Sequence, residues 1–188
     1  MEKENFMLTV KPVTKQLSAY RRIVEIYQRS FPVEEQMPFW LMRLFARRKQ
    51  IDFLAFYDQE NFCGFAYLVY HEGLTFIFYL ATDPDKRSEG YGSQILSWLQ
   101  QEYAQRGLVL TIETVDPAYE DFAQRKRRQK FYFNNHLQDT GYRVKEFGVI
   151  YDVLTNDPSF SFEAYQKVLK YFSFGFYSVK PEEGPKRK

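Results

Sequence analysis

Three apolar segments, then a helix, then one more apolar segment constrain the fold of this chain more than anything else in it. From Ile51 to Leu80 the sequence is rich in Phe, Tyr, Val and Ile and is broken twice, at Asp58-Gln59-Glu60-Asn61 and at His71-Glu72-Gly73. Breaks this short, built from turn residues, connect neighbouring antiparallel strands, so the segment predicts a three-strand meander. Ile95, Leu96, Leu99 and Tyr103 then recur at helical spacing, Gly107 is the expected stop of that helix, and Leu108-Val109-Leu110-Thr111-Ile112 resumes as a strand. A strand, helix, strand connection is a crossover, which makes its two strands parallel and right-handed. A sheet containing both the meander and the crossover is mixed.

The flanks add helices and edge strands. Phe6 to Lys11 predicts a first strand stopped at Pro12, and Leu17, Tyr20, Ile23, Val24 and Tyr27 lay one apolar stripe along a helix. A short helix after Pro38 is expected to bury Trp40, Leu41, Leu44 and Phe45 and to expose Arg43, Arg47, Arg48 and Lys49. Asp116-Pro117 reads as a helix start, with Glu120 and Asp121 in the first turns and Arg125 to Lys130 later, as the helix dipole favours. Leu137 to Val144 and Val149 to Leu154 are two further strands, and Ser161 is the expected N-cap of a last helix from Phe162 to Phe172. The expected organisation is one domain over residues 1–155, a C-terminal helix and aromatic extension over 156–179, and a disordered tail over 180–188.

Composition excludes several classes. Aromatic residues are 19% of the 188, and each ring buries roughly 150–250 Å², so core or cleft surface is largely ring. Twenty-six basic residues against 24 acidic ones leave a net charge of +2, and nucleic-acid binding is not expected. Cys63 is the one cysteine, which rules out an intramolecular disulfide, offers no thiol pair to zinc and suits a cytoplasmic protein. Near the N-terminus no apolar run suggests a signal peptide, and no stretch approaches the roughly 18 apolar residues of a membrane-spanning helix.

The chemistry lies in Thr82-Asp83-Pro84-Asp85-Lys86-Arg87-Ser88-Glu89-Gly90-Tyr91-Gly92-Ser93, between a strand and an amphipathic helix. Glycines at 90 and 92 let backbone N–H groups approach an anion at a helix N-terminus, and a tight turn into the helix is the plain alternative. A Walker loop would need a lysine after Gly92, where Ser93 stands. A dinucleotide fingerprint would need a glycine in place of Ile95; Glu113 does stand where its ribose acid would, yet four strands already precede the loop.

The remaining pattern, Arg/Gln-x-x-Gly-x-Gly/Ala, is met by Arg87, Gly90 and Gly92, and with this order of elements from Phe6 to Leu154 the chain resembles the GNAT superfamily of acetyl-CoA-dependent N-acetyltransferases, in a bacterial-type form. The segment Arg127-Arg128-Gln129-Lys130-Phe131-Tyr132 resembles the one that leads to a Phe-Tyr pair in many bacterial members. The resemblance implies an α/β fold: a central mixed, mostly antiparallel sheet of about seven strands splayed between the fourth and fifth, about four flanking helices and an added C-terminal helix. It implies acetyl-CoA as co-substrate and no metal, with pyrophosphate on the amides of Arg87, Ser88, Glu89, Gly90, Tyr91, Gly92 and Ser93 and the pantetheine arm along Leu80, Ala81 and Thr82. Tyr132 falls on the tyrosine that faces the departing sulfur.

Three positions depart from the family pattern. Arg125 replaces an asparagine, His136-Leu137 replaces a Gly-Phe pair and so predicts a differently shaped helix end, and Phe76 stands where some members carry a carboxylate. Glu113 is the leading candidate for a base, with a structural acid as the alternative. The expected activity is acetyl transfer to an amine of a small molecule or peptide. A non-catalytic acyl-CoA-binding or regulatory protein is the alternative, and an RNA-binding domain using Arg125 to Lys130 is a third. The remaining single candidates read mostly as structure: Cys63 as core, His71 as a turn residue, His136 as a helix-end residue. Glu34 and Glu35 either line an acceptor cleft or are surface acids. Phe172, Phe174, Phe176 and Tyr177 are expected to pack on their own domain, with a homodimer contact as the alternative.

Overall fold

The computed structural model describes residues 8–146 and 148–182. Seven strands, β1 (Thr9–Pro12), β2 (Ile51–Asp58), β3 (Asn61–His71), β4 (Leu74–Thr82), β5 (Gly107–Glu113), β6 (Gln138–Glu146) and β7 (Val149–Thr155), form one sheet in the order β1-β2-β3-β4-β5-β7-β6. Five helices accompany it: α1 (Tyr20–Ser30), α2 (Phe39–Phe45), α3 (Tyr91–Glu102), α4 (Phe122–Asn134) and α5 (Phe162–Phe172). β4 and β5 are parallel, as the crossover requires, and β7 lies antiparallel to both β5 and β6. The mixed α/β fold expected from the sequence is the fold observed. Phe6, placed in the first strand by its pattern, lies outside the described residues. By contacts the chain forms two compact units, one of residues up to Leu68 with Phe78–Glu102, the other of Val69–Ile77 with the residues from Tyr103 on.

The first unit is built on rings. Tyr27 of α1 meets Tyr79 of β4 edge-on at 5.0 Å and Phe39 of α2 at 5.7 Å, and Phe39 also meets Tyr20 and Phe53. Edge-to-face pairs of this kind contribute about 0.5–1.5 kcal/mol each beyond their buried area. The Tyr27 hydroxyl donates to the Met37 carbonyl and that of Tyr79 to the Glu35 carbonyl, so the segment between α1 and α2 is tied down by phenols. This changes the expected face of α2. Met42 is the buried residue, while Trp40 is 65% exposed and Leu44 is exposed too, because the helix is oriented by Phe39 and by the Tyr67 hydroxyl donating to the Met42 carbonyl. Gly64 in β3 allows close packing, since a Cβ there would stand 2.6 Å from the Ala81 carbonyl and 2.9 Å from Ile95 of α3.

In the second unit, Glu72 and Gly73 both take positive φ at the tip of the β3–β4 hairpin, the signature of a type I′ turn. Gly107 corrects its expected role: it opens β5 instead of stopping a helix, its amide donates to the Gly73 carbonyl, and a Cβ on it would collide with the Asp157 side chain at 2.6 Å. α4 begins at Phe122, not at Asp116-Pro117. The Asp116 carboxylate accepts the Ala118 amide and its carbonyl accepts the Tyr119 amide, closing a turn that competes with the helix. Ser161 holds the N-cap position of α5 without a side-chain capping bond, and Tyr165, Val168 and Leu169 form the buried stripe of that helix.

The tail departs from expectation at its start. Pro181 bridges Val144, the Glu182 amide donates to the Arg143 carbonyl, and Gln166 donates to the Val179 carbonyl, so residues 179–182 are fastened to β6 and α5. β6 is the end strand of the sheet, and the bridge covers part of an otherwise open edge. Residues 183–188 lie outside the described residues. Phe174 and Phe176 are exposed, the latter 94%, while the Tyr177 hydroxyl donates to Glu146 at the end of β6, so the aromatic extension is fastened at Tyr177 and open at Phe176.

Candidate functional site

The loop between β4 and α3 carries the first group of sequence-predicted residues. Asp83 caps one 3-10 turn over Pro84–Lys86, accepting the Asp85 amide on its carboxylate, while its own amide donates to the Cys63 carbonyl at 2.8 Å. Arg87 is extended, Ser88 turns to φ +66° and Gly90 to φ +84°, and α3 starts at Tyr91. The Gly90 carbonyl accepts the Ser93 and Gln94 amides. Among the described residues, the amides of Ser88, Glu89, Gly90, Tyr91 and Gly92 donate to no protein acceptor. Successive free N–H groups around residues of opposite φ sign, at the start of a three-turn helix, are an arrangement suited to an anion. Arg87, Ser88, Glu89 and Gly90 are exposed.

Side chains hold both ends of this loop. At its start the Arg22 guanidinium of α1 takes Asp83 through Nε at 2.9 Å and through Nη2, and Nη2 also reaches Asp85 at 2.6 Å. This bond holds the Asp83 carboxyl below the usual carboxylate range and the Arg22 guanidinium above its own. At its end, Tyr91 buries its ring and donates its hydroxyl to Asp58 at 2.7 Å, a bond that raises the phenol above its ordinary value. Of the strand residues expected to face pantetheine, Ala81 is buried and Leu80 and Thr82 are half-buried. The β4–β5 ladder runs from Leu74↔Gly107 to Phe76↔Val109 and includes none of the three.

The second group lies around α4. Glu113, at the end of β5, has both oxygens occupied: Oε1 lies 3.5 Å from Arg125 and Oε2 is bonded by Arg128. Arg125 is buried, also reaches Asp121 at 2.7 Å and the Thr114 carbonyl at 3.2 Å, and lies over the Tyr119 ring at 3.9 Å. Arg125 and Arg128, out of the run from Arg125 to Lys130, therefore turn toward Glu113. Tyr132 is half-buried in the last turns of α4, where burial raises its hydroxyl and the Arg128 charge partly opposes the rise. His136 takes φ +64°, its amide donates to Phe133 and that of Leu137 to Tyr132, which is the hydrogen-bond pattern normally built on glycine. A histidine stands in the left-handed conformation that glycine usually takes at a helix end.

Of the other candidates, Cys63 is core as expected, whereas His71 closes strand β3 instead of lying in the turn. Cys63 is fully buried, its Sγ 3.2 Å from the Asn61 carbonyl, and burial pushes the thiol up. His71 stacks on Tyr171 at 4.7 Å, and Phe76 is buried against Tyr165. Glu35 and Glu34 sit in a 3-10 turn over Val33–Glu35. Among the described residues no group of three His, Cys, Asp or Glu could hold a metal ion, and no helix is long and apolar enough to cross a membrane. Sequence reasoning missed Arg22 and Asp58, since nothing near either residue signals a partner 61 or 33 positions away.

Comparison with known proteins converges on one family. A family model described as the acetyltransferase (GNAT) family matches residues 20–132. A comparison with curated proteins finds no match. Among solved structures, a protein from Bacteroides thetaiotaomicron assigned to the GNAT family superposes with a TM-score of 0.71 at 24% identity, over 90% of this chain and 99% of that one. An aminoglycoside 6'-N-acetyltransferase complexed with coenzyme A gives 0.61 at 14% identity, over 81% and 99%. The ribosomal-protein-S18-alanine N-acetyltransferase from Escherichia coli gives 0.58 at 16%, over 82% and 96%. At these identities the structural likeness speaks for the fold.

Proposed function

The chain belongs to the GNAT acetyltransferase family, and from that premise we propose that it transfers the acetyl group of acetyl-CoA directly to an amine. The observation that carries the proposal is the run of free amides from Ser88 to Gly92 at the start of α3. In this reading those amides, with Arg87 and Ser93, take the pyrophosphate, and the main chain of Leu80, Ala81 and Thr82 takes the pantetheine arm. An aminoglycoside acetyltransferase of this fold is complexed with coenzyme A, and another GNAT structure holds acetyl-CoA.

The reaction forms an N–C bond at the acetyl carbonyl and breaks the C–S bond, so the amine loses a proton and the sulfur leaves as a thiolate. An amine of pKa near 10.4 is neutral so rarely at pH 7 that presenting it costs roughly 4–5 kcal/mol. Tyr132 is assigned to the thiolate. Because burial makes its hydroxyl a weaker acid still, it acts by donating a hydrogen bond to the developing charge and not by full proton transfer. Glu113 faces two guanidinium groups, those of Arg125 and Arg128, at the base of α4. We therefore assign it to hold α4, and the amine proton to solvent. The acceptor is a small-molecule or peptide amine, and the compartment is the cytoplasm, where Cys63 stays reduced.

Calorimetry with coenzyme A, followed by mass spectrometry of an amine and peptide panel incubated with acetyl-CoA, tests the proposal. Saturable binding and acetylated products are expected. Binding without any acetylated product across the panel and a cell extract would instead assign a non-catalytic acyl-CoA-binding role, and absence of binding would remove the loop assignment.

A further inference from the structure

We infer that Arg22 is a positioning residue of the anion loop, tying the start of the loop to α1 and neutralising acids that would repel the ligand; the inference rests on the coenzyme A reading of that loop. From Asp83 to Ser93 three acids, Asp83, Asp85 and Glu89, stand against two bases, Lys86 and Arg87. The segment alone carries a charge of −1, the wrong sign for a pyrophosphate, and Arg22 brings it to zero. Its nearer acid neighbours are Asp83 and Asp85, with Glu25 of its own helix at 3.8 Å.

The geometry is that of a clamp and not of an incidental surface pair. Asp83 is buried and is engaged on every side: by the fork of Arg22 on both oxygens, by the Asp85 amide, and through its own amide by Cys63 of β3. A planar guanidinium is the side chain that fits two oxygens at once while reaching a second carboxylate. Without it Asp83 is a buried carboxylate with no cation in contact. Past the clamp the chain runs through Ser88 at φ +66°, a conformation that non-glycine residues keep only where the surroundings enforce it. The surroundings are the two anchors, Arg22 with Asp83 at one end and Asp58 with Tyr91 at the other.

The test measures coenzyme A by calorimetry and pantetheine, which lacks the phosphates, by ligand-observed NMR, on the full chain. Arg22→Ala is expected to weaken coenzyme A binding at least about tenfold, the loss of one charge-assisted contact, and to leave pantetheine binding unchanged. Arg22→Lys keeps the charge without the fork and is expected between Arg22→Ala and wild type. Unchanged coenzyme A affinity in folded Arg22→Ala, or equal losses for both ligands, would overturn the inference. Should Arg22→Ala not fold, Asp85→Asn decides: it keeps the Asp83 clamp and removes a negative charge, so coenzyme A should bind tighter, and equal or weaker binding would overturn the inference. If wild type itself does not bind coenzyme A, the reading of the loop fails. If Gly90→Asp loses binding while Arg22→Ala does not, only the role of Arg22 fails.

Discussion

The loop before α3 and the surroundings of α4 present two kinds of site in one chain. In the loop the surface proposed to bind is backbone, five N–H groups arranged by the φ signs of Ser88 and Gly90, and side chains hold its ends. Around α4 the groups proposed to act are side chains, Tyr132 with Glu113, Arg125 and Arg128 beside it, and the backbone ends the helix behind Tyr132. A backbone site is written in residue types that permit a conformation, and glycine spacing announces it. A side-chain site is written in partners, and partners are chosen across the fold.

Substitutions should separate the two in size and in kind. Gly90→Asp is expected to have the largest effect, weakening coenzyme A binding more than about a hundredfold, because it adds a negative charge at the phosphates and a side chain at φ +84°. The site has room, since the nearest atom to an added Cβ is Gln94 Nε2 at 4.0 Å. Gly90→Ala should therefore cost only the conformational part, about tenfold by calorimetry. Equal losses for the two would show that charge plays no part.

Tyr132→Phe comes next, with kcat expected to fall about a hundredfold and coenzyme A affinity to hold, because the ring is kept and the donor lost. Wild-type turnover, measured once an acceptor is in hand, would take the tyrosine out of the mechanism. Glu113→Gln should cost about 2 kcal/mol of stability through its two arginines, read from urea midpoints, and should leave the acidic limb of the pH–rate profile in place. Loss of that limb would return Glu113 to the role of base.

His136→Gly should stabilise the protein by on the order of 1 kcal/mol in thermal unfolding, since it relieves a left-handed residue in a turn built for glycine. No gain would mean that the imidazole has a compensating contact. The smallest effect concerns acid. Asp83 titrates below its unfolded value of about 3.9, so its contribution is complete above that pH and disappears as the pH falls through the lowered folded value. Arg22 is about a third exposed, which screens the pair and keeps the effect small. Urea midpoints from pH 6 to pH 3 should fall more steeply in wild type than in Asp83→Asn, and parallel curves would contradict the pairing.

How much was legible follows the same division. The meander, the crossover and the glycine loop came from patterns within a dozen residues, and each is present. The start of α4 was misplaced because Asp116-Pro117 favours a helix and a turn alike, and hydrogen bonds to Ala118 and Tyr119 decide for the turn. The face of α2 was misplaced because a helix of seven residues has too few turns to define a stripe, and Phe39 and Met42 set its rotation through contacts with Tyr27, Phe53 and Tyr67.

By itself the sequence determined a mixed sheet holding a meander and a parallel crossover, and a glycine-containing loop at the start of a helix. Periodicity, turn residues and glycine act through neighbours a few positions away, which is the range a linear reading covers. Only the tertiary structure decided which charges meet. Arg22 and Asp83 are 61 positions apart, Glu113 and Arg128 are 15 apart, and of the basic run from Arg125 to Lys130 the arginines at 125 and 128 turn inward to Glu113. An ionised group pairs with whichever opposite charge the packed fold brings within bonding distance, and that distance is set by the packing of helices on strands and not by spacing along the chain.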